Sequence, residues 1–308
     1  MRRLRTGRDE AGVTMVLVAA FIVVAMAMAA LVVDVGALVY ERRELQNGAD
    51  AVALSVAQSC ALAEPSCSSG PTDSVLSQLA GDNAVDDATT IESVQVDTAA
   101  RTVTVGTRTL TDSGSGILPF NFAAGGKTVH ATSVATWGAP QTATVIPLGI
   151  SLCEWEGVQL DVETTTIFHR PDASPCAGPS GADIAGGFGW LDPVAGTCHL
   201  ELSAGGVASA KTGAPVPASC DFGTLLGKEL LVPIFDAITF SGTIARYHVV
   251  GFAAFKLTGY RFPATNSTPR PCSPPKTCVS GIFTHFVESS GGPIGGGEFG
   301  VSIVKLVS

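Results

Sequence analysis

The feature that most constrains this chain is an apolar run of 21 residues, Val13 to Val33, which contains no charged residue and no proline. As a helix rising 1.5 Å per residue, the run is about 31 Å long, the thickness of the hydrocarbon core of a bilayer. No proline follows before Pro65, so we expect the helix to continue to about residue 59. The sequence therefore predicts a transmembrane helix over residues 13–33 that runs on beyond the membrane.

Charges on either side of the run predict its orientation. Four arginines precede it, whereas the first charge after it is Asp34. By the positive-inside rule, residues 1–12 are a cytoplasmic stub and the bulk of the chain is extracytoplasmic, which predicts a single-pass protein of the cell membrane. The alternative is a cleaved signal peptide, because Ala25-Met26-Ala27 and Ala27-Met28-Ala29 have the small-x-small pattern of a cleavage site. Both interpretations export the rest of the chain.

Beyond the membrane, one side of the helix carries a seam of apolar residues. Leu38, Leu45 and Val52 recur at intervals of seven; Ala49 lies between the last two, and Val56 follows Val52 by four residues. This repeat predicts an apolar face. The polar residues predicted to be exposed on the opposite side are Glu41, Arg43, Glu44, Gln46, Asn47 and Asp50. The seam packs either on the chain's own domain alone or on other subunits as well.

Asp34 is a carboxylate placed directly after the apolar run. At a helix end it can reach headgroup water at little cost, whereas a charge buried in a membrane usually marks function. Asp34 is therefore either an interfacial residue or a group that pairs with a neighbouring subunit. The candidate assembly helix consists of Asp34, Leu38, Leu45, Ala49, Val52 and Val56.

Residues 34–140 are predicted to form a first α+β unit. A short second helix begins at about residue 73, and valines that alternate with polar residues over 94–105, around a turn at 97–100, predict a β-hairpin. A third strand over residues 129–136 would complete a small antiparallel sheet. The long transmembrane and amphipathic helix is expected to pack on this sheet.

Residues 141–308 are rich in glycine and proline and contain short β-like runs, so they predict an irregular β-rich exported unit. The fold class expected for the whole chain is therefore α+β. Eight cysteines lie beyond the membrane segment, which fits disulfides in an oxidising compartment: Cys60, Cys67, Cys153, Cys176, Cys198, Cys220, Cys272 and Cys278. Cys60 and Cys67 bracket a short loop, and sequential pairing is our expectation for the other six, although eight cysteines allow about 105 connectivities.

Charge and motifs exclude several functions. Beyond residue 12 the chain has 14 basic and 25 acidic residues, so nucleic-acid binding is not expected. Cys198-His199 with Glu201 lacks the further ligands that a zinc site needs. The glycines at 295, 297 and 300 match a dinucleotide fingerprint by letter, but a strand-like run follows them where a helix is required, so we expect a flexible loop. The sequence predicts no enzyme, no cofactor and no metal site.

The N-terminal fifty or so residues resemble the TadE/TadG-like Flp pilus-assembly proteins of the tight-adherence (Tad, type IVb) system. The resemblance is carried by "RDE" before the apolar span, "VDVG" at its outer edge and "RRELQNGADAVAL" after it. It implies a bacterial inner-membrane component with a pilin-like helix and an exported domain. Its implied partners are membrane lipid and other Tad pilus-assembly proteins or pilin.

The same resemblance extends to pilins, and this chain differs from them at one important position. Gly12 stands where those proteins have the glycine of their cleavage site, but the fifth residue after it is Leu17, where they have a glutamate. The resemblance therefore implies a membrane-retained assembly component of TadG type without catalysis. The alternative function is a membrane-tethered binding module for a cell-envelope or surface ligand, with the helix as a tether.

Overall fold

The computed structural model describes residues 9–63, 67, 73–83, 89–109, 128–162, 164–168, 176–177, 183–184, 187–211, 216–241, 244–288 and 292–307. One helix, α1 (Asp9–Ala61), runs without interruption for 53 residues, or about 80 Å. The continuous helix predicted from the sequence is therefore present. The expected short second helix is α2 (Asp73–Asp82), which packs on α1.

Gly48 lies where α2 crosses α1. A Cβ atom at this position would lie 3.1 Å from the carbonyl oxygen of Ala80, a residue of α2. A glycine in a helix interior costs about 1 kcal/mol relative to alanine. Here it lets the backbones of the two helices come close together.

The first sheet begins with the predicted hairpin. Strands β1 (Thr89–Asp97) and β2 (Thr102–Thr109) pair antiparallel, with Val94 opposite Val105. The carboxylate of Asp97 closes the turn by accepting hydrogen bonds from the backbone N–H groups of Ala99 and Ala100. The predicted third strand is β3 (His130–Gly138), which pairs antiparallel with β2.

Two strands from the C-terminal part of the chain complete this sheet. β17 (Val301–Leu306) pairs antiparallel with β3, and β15 (Phe286–Glu288) pairs parallel with β17. The strand order is β1-β2-β3-β17-β15, so the sheet is mixed and not purely antiparallel as expected. The sequence boundary at residue 140 stays a prediction, but strands from both sides of it share one sheet.

The second sheet has eight strands built around one long hairpin. Strands β12 (Glu229–Ser241) and β13 (Ile244–Arg261) form that hairpin. The path is β6-β14-β13-β12-β5-β9, and β11 and β16 also pair with β13. The other strands of this sheet are β5 (Leu148–Ser151), β6 (Thr165–Phe168), β9 (Phe188–Trp190), β11 (Val207–Lys211), β14 (Cys278–Thr284) and β16 (Gly297–Phe299).

Two short strand pairs and one helical turn complete the described elements. β4 (Thr142–Val145) pairs with β10 (Leu200–Ser203), and β7 (Cys176–Ala177) pairs with β8 (Asp183–Ile184). The helical turn is α3 (Leu152–Trp155). A long helix on a small sheet, followed by a β-rich unit with disulfides, confirms the predicted α+β class.

The outer half of α1 packs on the first sheet and shares a core with it. Leu45, Ala49, Val52 and Val56 are completely buried on the helix side. Their counterparts on the sheet include Val103, Val105, Ala135 and Trp137. Burying these side chains removes apolar surface from water, which is the dominant favourable term in folding.

The predicted polar face of α1 is wrong at two positions. Glu41 and Glu44, which we expected to be exposed, are buried. At about 100° per residue, Glu41 lies only about 60° around the helix from Leu38 and about 40° from Leu45, so it belongs to the same side as the seam. Gln46 is half-buried, and its side-chain amide donates to Asp50 Oδ1 at 2.8 Å and to the Thr132 carbonyl oxygen at 3.2 Å.

The shared core predicts a large effect of shortening Leu45. Leu45→Ala should lower the free energy of unfolding by about 2–5 kcal/mol, because it leaves a cavity between α1 and the sheet. Asn47→Ala, two residues further along on the exposed side, is the matched control and should change stability by less than about 0.5 kcal/mol. Urea unfolding of the full chain in detergent, followed by tryptophan fluorescence, measures both values. Equal effects of the two substitutions would contradict this packing.

Candidate assembly helix and the junction beyond it

α1 is divided along its length into an exposed half and a buried half. Among the residues that the structure describes, one helix is long and apolar enough to cross a membrane, Gly12–Ala61; its most apolar window has a mean hydropathy of 3.0, and none of that window is buried by the protein. In the other half, burial of the apolar side chains begins at Leu45. A single rigid element thus joins a candidate membrane span to the core of the folded part.

The structure places the six residues of the candidate assembly helix in different environments. Leu45, Ala49, Val52 and Val56 face the chain's own sheet and are completely buried, whereas Leu38 is half-buried. Asp34 is also buried within the single chain, and whether it is interfacial or pairs with a neighbouring subunit stays a prediction. Contact of these residues with other subunits stays a prediction, and over Leu45–Val56 the seam is occupied by the chain's own sheet.

The first sheet and the β-rich unit are joined where two chain segments pass side by side. The backbone N–H of Gln141 donates to the Pro293 carbonyl at 2.8 Å, and the N–H groups of Gly295 and Gly296 donate to the Ala139 carbonyl at 2.9 and 3.3 Å. Pro140 and Ile294 form an isolated antiparallel bridge. We call residues 139–141 with 293–296 the junction.

Ionic contacts surround the junction. Arg101, in the turn between β1 and β2, pairs with Glu298 on β16 and so links the two sheets. His285 Nδ1 lies 2.5 Å from Asp161 Oδ2, and the backbone N–H of His285 donates to Asp161 Oδ1 at 3.1 Å. Exposed ion pairs contribute at most about 1 kcal/mol each, so their role here is chiefly geometric.

A cleft of about 260 Å³ lies between the end of α1 and the two sheets. Trp155 forms part of its wall and meets the rings of Phe283 and Phe299 edge-on, with centroids 5.1 and 5.4 Å apart. The polar lining residues Arg101, Glu298 and His285 already have side-chain partners within the chain. Further lining residues are Cys60, Ala61, Ala63, Trp137, Gly138, Ala139, Leu160, Gly300, Val301 and Ser302. The cleft therefore offers packing surface more than unpaired charge to a ligand.

The described residues contain no group of three or more His, Cys, Asp or Glu side chains that could hold a metal ion. The sulfur of Cys198, which the sequence placed next to His199, is bonded to Cys220. At the glycines of the dinucleotide-like pattern, the predicted flexible loop is wrong in part, because Gly297–Phe299 forms β16 and pairs parallel with β13.

Disulfides close three local loops in the described part of the chain. Cys60–Cys67 lies at the end of α1, and the other two are Cys198–Cys220 and Cys272–Cys278. These are neighbouring cysteines, as expected. Cys153 is also disulfide-bonded, and the side chain of its expected partner, Cys176, lies outside the described residues.

The junction was not predicted from the sequence. Its signal is the run "GGPIGGGEFG" at 291–300, which combines six glycines and one proline with an apolar Ile294. Isolated glycines next to strands often mark a close approach of two backbones. The run does not indicate which distant segment of the chain packs against it, because that depends on the rest of the fold.

Gly296 permits the close approach at the junction, which gives a test with a matched control. A Cβ atom at Gly296 would overlap the carbonyl oxygen of Pro140, whereas one at Gly292 would meet only Thr142 Oγ1 at 3.7 Å. Gly296→Ala should lower the free energy of unfolding by about 1–3 kcal/mol. Gly292→Ala should change it by less than about 0.5 kcal/mol. Denaturant unfolding distinguishes them, and two neutral substitutions would contradict the junction.

Glu288 on β15 is a titratable group whose pKa is changed by burial. Burial raises the pKa of its carboxyl from the ordinary value of 4.5. Its Oε2 is buried and accepts no hydrogen bond from the described residues. Burial likewise raises the pKa of Tyr247.

The raised pKa of Glu288 predicts a pH-dependent gain from removing its charge. The folded protein binds this proton more tightly than the unfolded chain, so its contribution to stability is present below pH 4.5 and is lost as the pH rises through the raised pKa. Glu288→Gln should therefore raise Tm at pH 7 and leave it nearly unchanged at pH 4. Exposed Glu229→Gln is the control. Calorimetry that finds the same shift for Glu288→Gln at both pH values would contradict this.

Comparison with known families identifies the segment that forms α1. Residues 12–59 match the family described as Putative Flp pilus-assembly TadE/G-like. The matched residues cover both the exposed apolar half of the helix and its buried half. No curated protein and no solved structure matches this chain. The match confirms the resemblance and supports a role in pilus assembly.

Proposed function

We propose that this chain is a membrane-anchored, non-catalytic structural component of a bacterial Tad (Flp) pilus-assembly apparatus, of the membrane-retained TadG type. The observation that carries the proposal is the coincidence of the family match at 12–59 with one uninterrupted helix. The helix is apolar and exposed at one end and forms the core of the exported part at the other.

The mechanical role follows from this geometry. A flexible tether would leave the exported part free to turn, whereas α1 continues from the candidate span into the first sheet without a break. Hydrogen bonds at the junction and the Arg101–Glu298 pair then connect that sheet to the β-rich unit. The protein holds its exported part at a fixed angle to the membrane helix, as an assembly scaffold requires.

The orientation is part of the proposal. Four arginines at positions 2, 3, 5 and 8 precede the span, which supports a cytoplasmic N-terminus. The disulfides Cys60–Cys67, Cys198–Cys220 and Cys272–Cys278 support an oxidising compartment for everything that follows. Leu17, at the position of the pilin glutamate, supports retention in the membrane. Its partners are other Tad assembly proteins or pilin.

A span exchange tests the function. The gene is deleted, surface pili are counted, and the deletion strain is complemented with the full chain or with a chain whose residues 12–33 are an unrelated apolar span of equal length. Equal length keeps the rotational register of the buried seam, since each inserted residue turns a helix by about 100°. We expect deletion to abolish piliation and the full chain to restore it. Because the family match includes the side chains of the span itself, we expect the exchanged span to restore less than about a tenth.

The outcomes separate the two candidate functions. Unchanged piliation after deletion would contradict an assembly role and favour the membrane-tethered binding module. Full restoration by the exchanged span would show that the span acts only as a tether. Immunoblots of membrane fractions control for equal insertion of both chains. A mature N-terminus near residue 28 or 30 in a soluble fraction would instead show a cleaved signal peptide.

A further inference from the structure

The exposed apolar surface of α1 does not stop at Asp34, where the apolar run of the sequence ends. Val35, Val39 and Tyr40 retain 51%, 47% and 55% of their accessible surface. They continue the exposed apolar surface that begins at Val13. On this side of the helix, the exposed surface changes from apolar to charged one to two turns later than the sequence indicates.

The acidic groups of the same stretch point into the protein. Asp34, Glu41 and Glu44 retain only 7%, 7% and 6% of their accessible surface within a single chain. The first exposed charges after the span are the cations Arg42 and Arg43. Folding therefore hides the anions and leaves a surface that is apolar up to Tyr40 and cationic immediately beyond it.

This order of side chains matches the outer boundary of a bilayer. From Val13 to Tyr40 a helix rises about 40 Å, close to the 40–45 Å of a bilayer with its headgroups. At a typical tilt of about 20° the projected length is about 38 Å, which places Tyr40 in the headgroup layer. Tyrosine is enriched at this level, and arginine side chains there reach lipid phosphates.

We propose that the outer leaflet contacts α1 as far as Tyr40, with Val35 and Val39 facing lipid and Arg42 and Arg43 binding phospholipid phosphates. Asp34 lies near the hydrocarbon boundary but is covered by the chain itself. The exported part therefore rests directly on the membrane, without a stalk. This proposal rests on the membrane anchoring in the proposed function and does not depend on the pilus partner.

Fluorescence depth measurements test the position of the boundary. Single cysteines replace Met26, Val35, Val39, Asn47 and Gln58 in the full chain; because the described cysteines are disulfide-bonded, an NBD maleimide labels the introduced thiol. The labelled proteins are reconstituted in phosphatidylcholine and phosphatidylglycerol vesicles. We expect blue-shifted emission, quenched at least twofold by nitroxide lipids, at positions 26, 35 and 39. Positions 47 and 58 should give aqueous spectra.

Each result has one meaning for the boundary. Aqueous spectra at positions 35 and 39, with lipid-like emission at 26, would place the membrane edge at Asp34 and overturn the proposal while leaving the anchor intact. An aqueous spectrum at position 26 would overturn the anchor itself. Pilus counts in the complemented strain are independent of both outcomes, so failure of the assembly role is recognised separately.

The phosphate contact has its own test in the labelled Val39→Cys protein. Arg42→Glu with Arg43→Glu should reduce nitroxide quenching at position 39 at least twofold in phosphatidylglycerol vesicles, because carboxylates are repelled by the anionic surface. The matched control, Lys228→Glu with Lys256→Glu, makes the same charge change at exposed positions of the β-rich unit. Quenching that is unchanged by the arginine pair, or reduced equally by the lysine pair, would overturn the role of the arginines.

Discussion

The burial of one face of α1 under the first sheet is the contact on which the architecture depends. A helix of this length is stable beyond a membrane only where packing supports it, because isolated helices in water are marginal. Leu45, Ala49, Val52 and Val56 supply that packing and are completely enclosed. The helix therefore cannot rotate about its axis without exposing them, and the orientation of the folded part is fixed to the direction of the candidate span.

Local pattern predicted a large share of the fold. The apolar run and the interval of seven predicted α1, and alternating valines predicted the hairpin of β1 and β2, because both signals are periodicities of the backbone itself. Pairing between distant segments has no such signal. The alternation in β17 predicts a strand but carries no information that its partner is β3, more than 160 residues earlier.

The candidate site was predicted less completely, for a related reason. Periodicity identified the seam from Leu45 to Val56, but the arc of helix that the chain covers is wider than the seam and includes Asp34, Glu41 and Glu44. Charge alone predicted Glu41 and Glu44 to be solvated. Their burial depends on which other parts of the fold lie beside them, as does the junction at Pro140 and Ile294.

The large separation in sequence between β17 and its partner β3 determines when the first sheet can be completed. The inner strand β17 follows β3 by more than 160 residues, so the sheet that packs on the outer half of α1 lacks an inner strand until residues 301–306 are available. Non-local pairing of this kind is slow and leaves apolar surface open in the meantime. A chain that lacks residues 301–306 therefore keeps α1 but leaves one edge of β3 open, because β17 is the strand that joins β3 to β15.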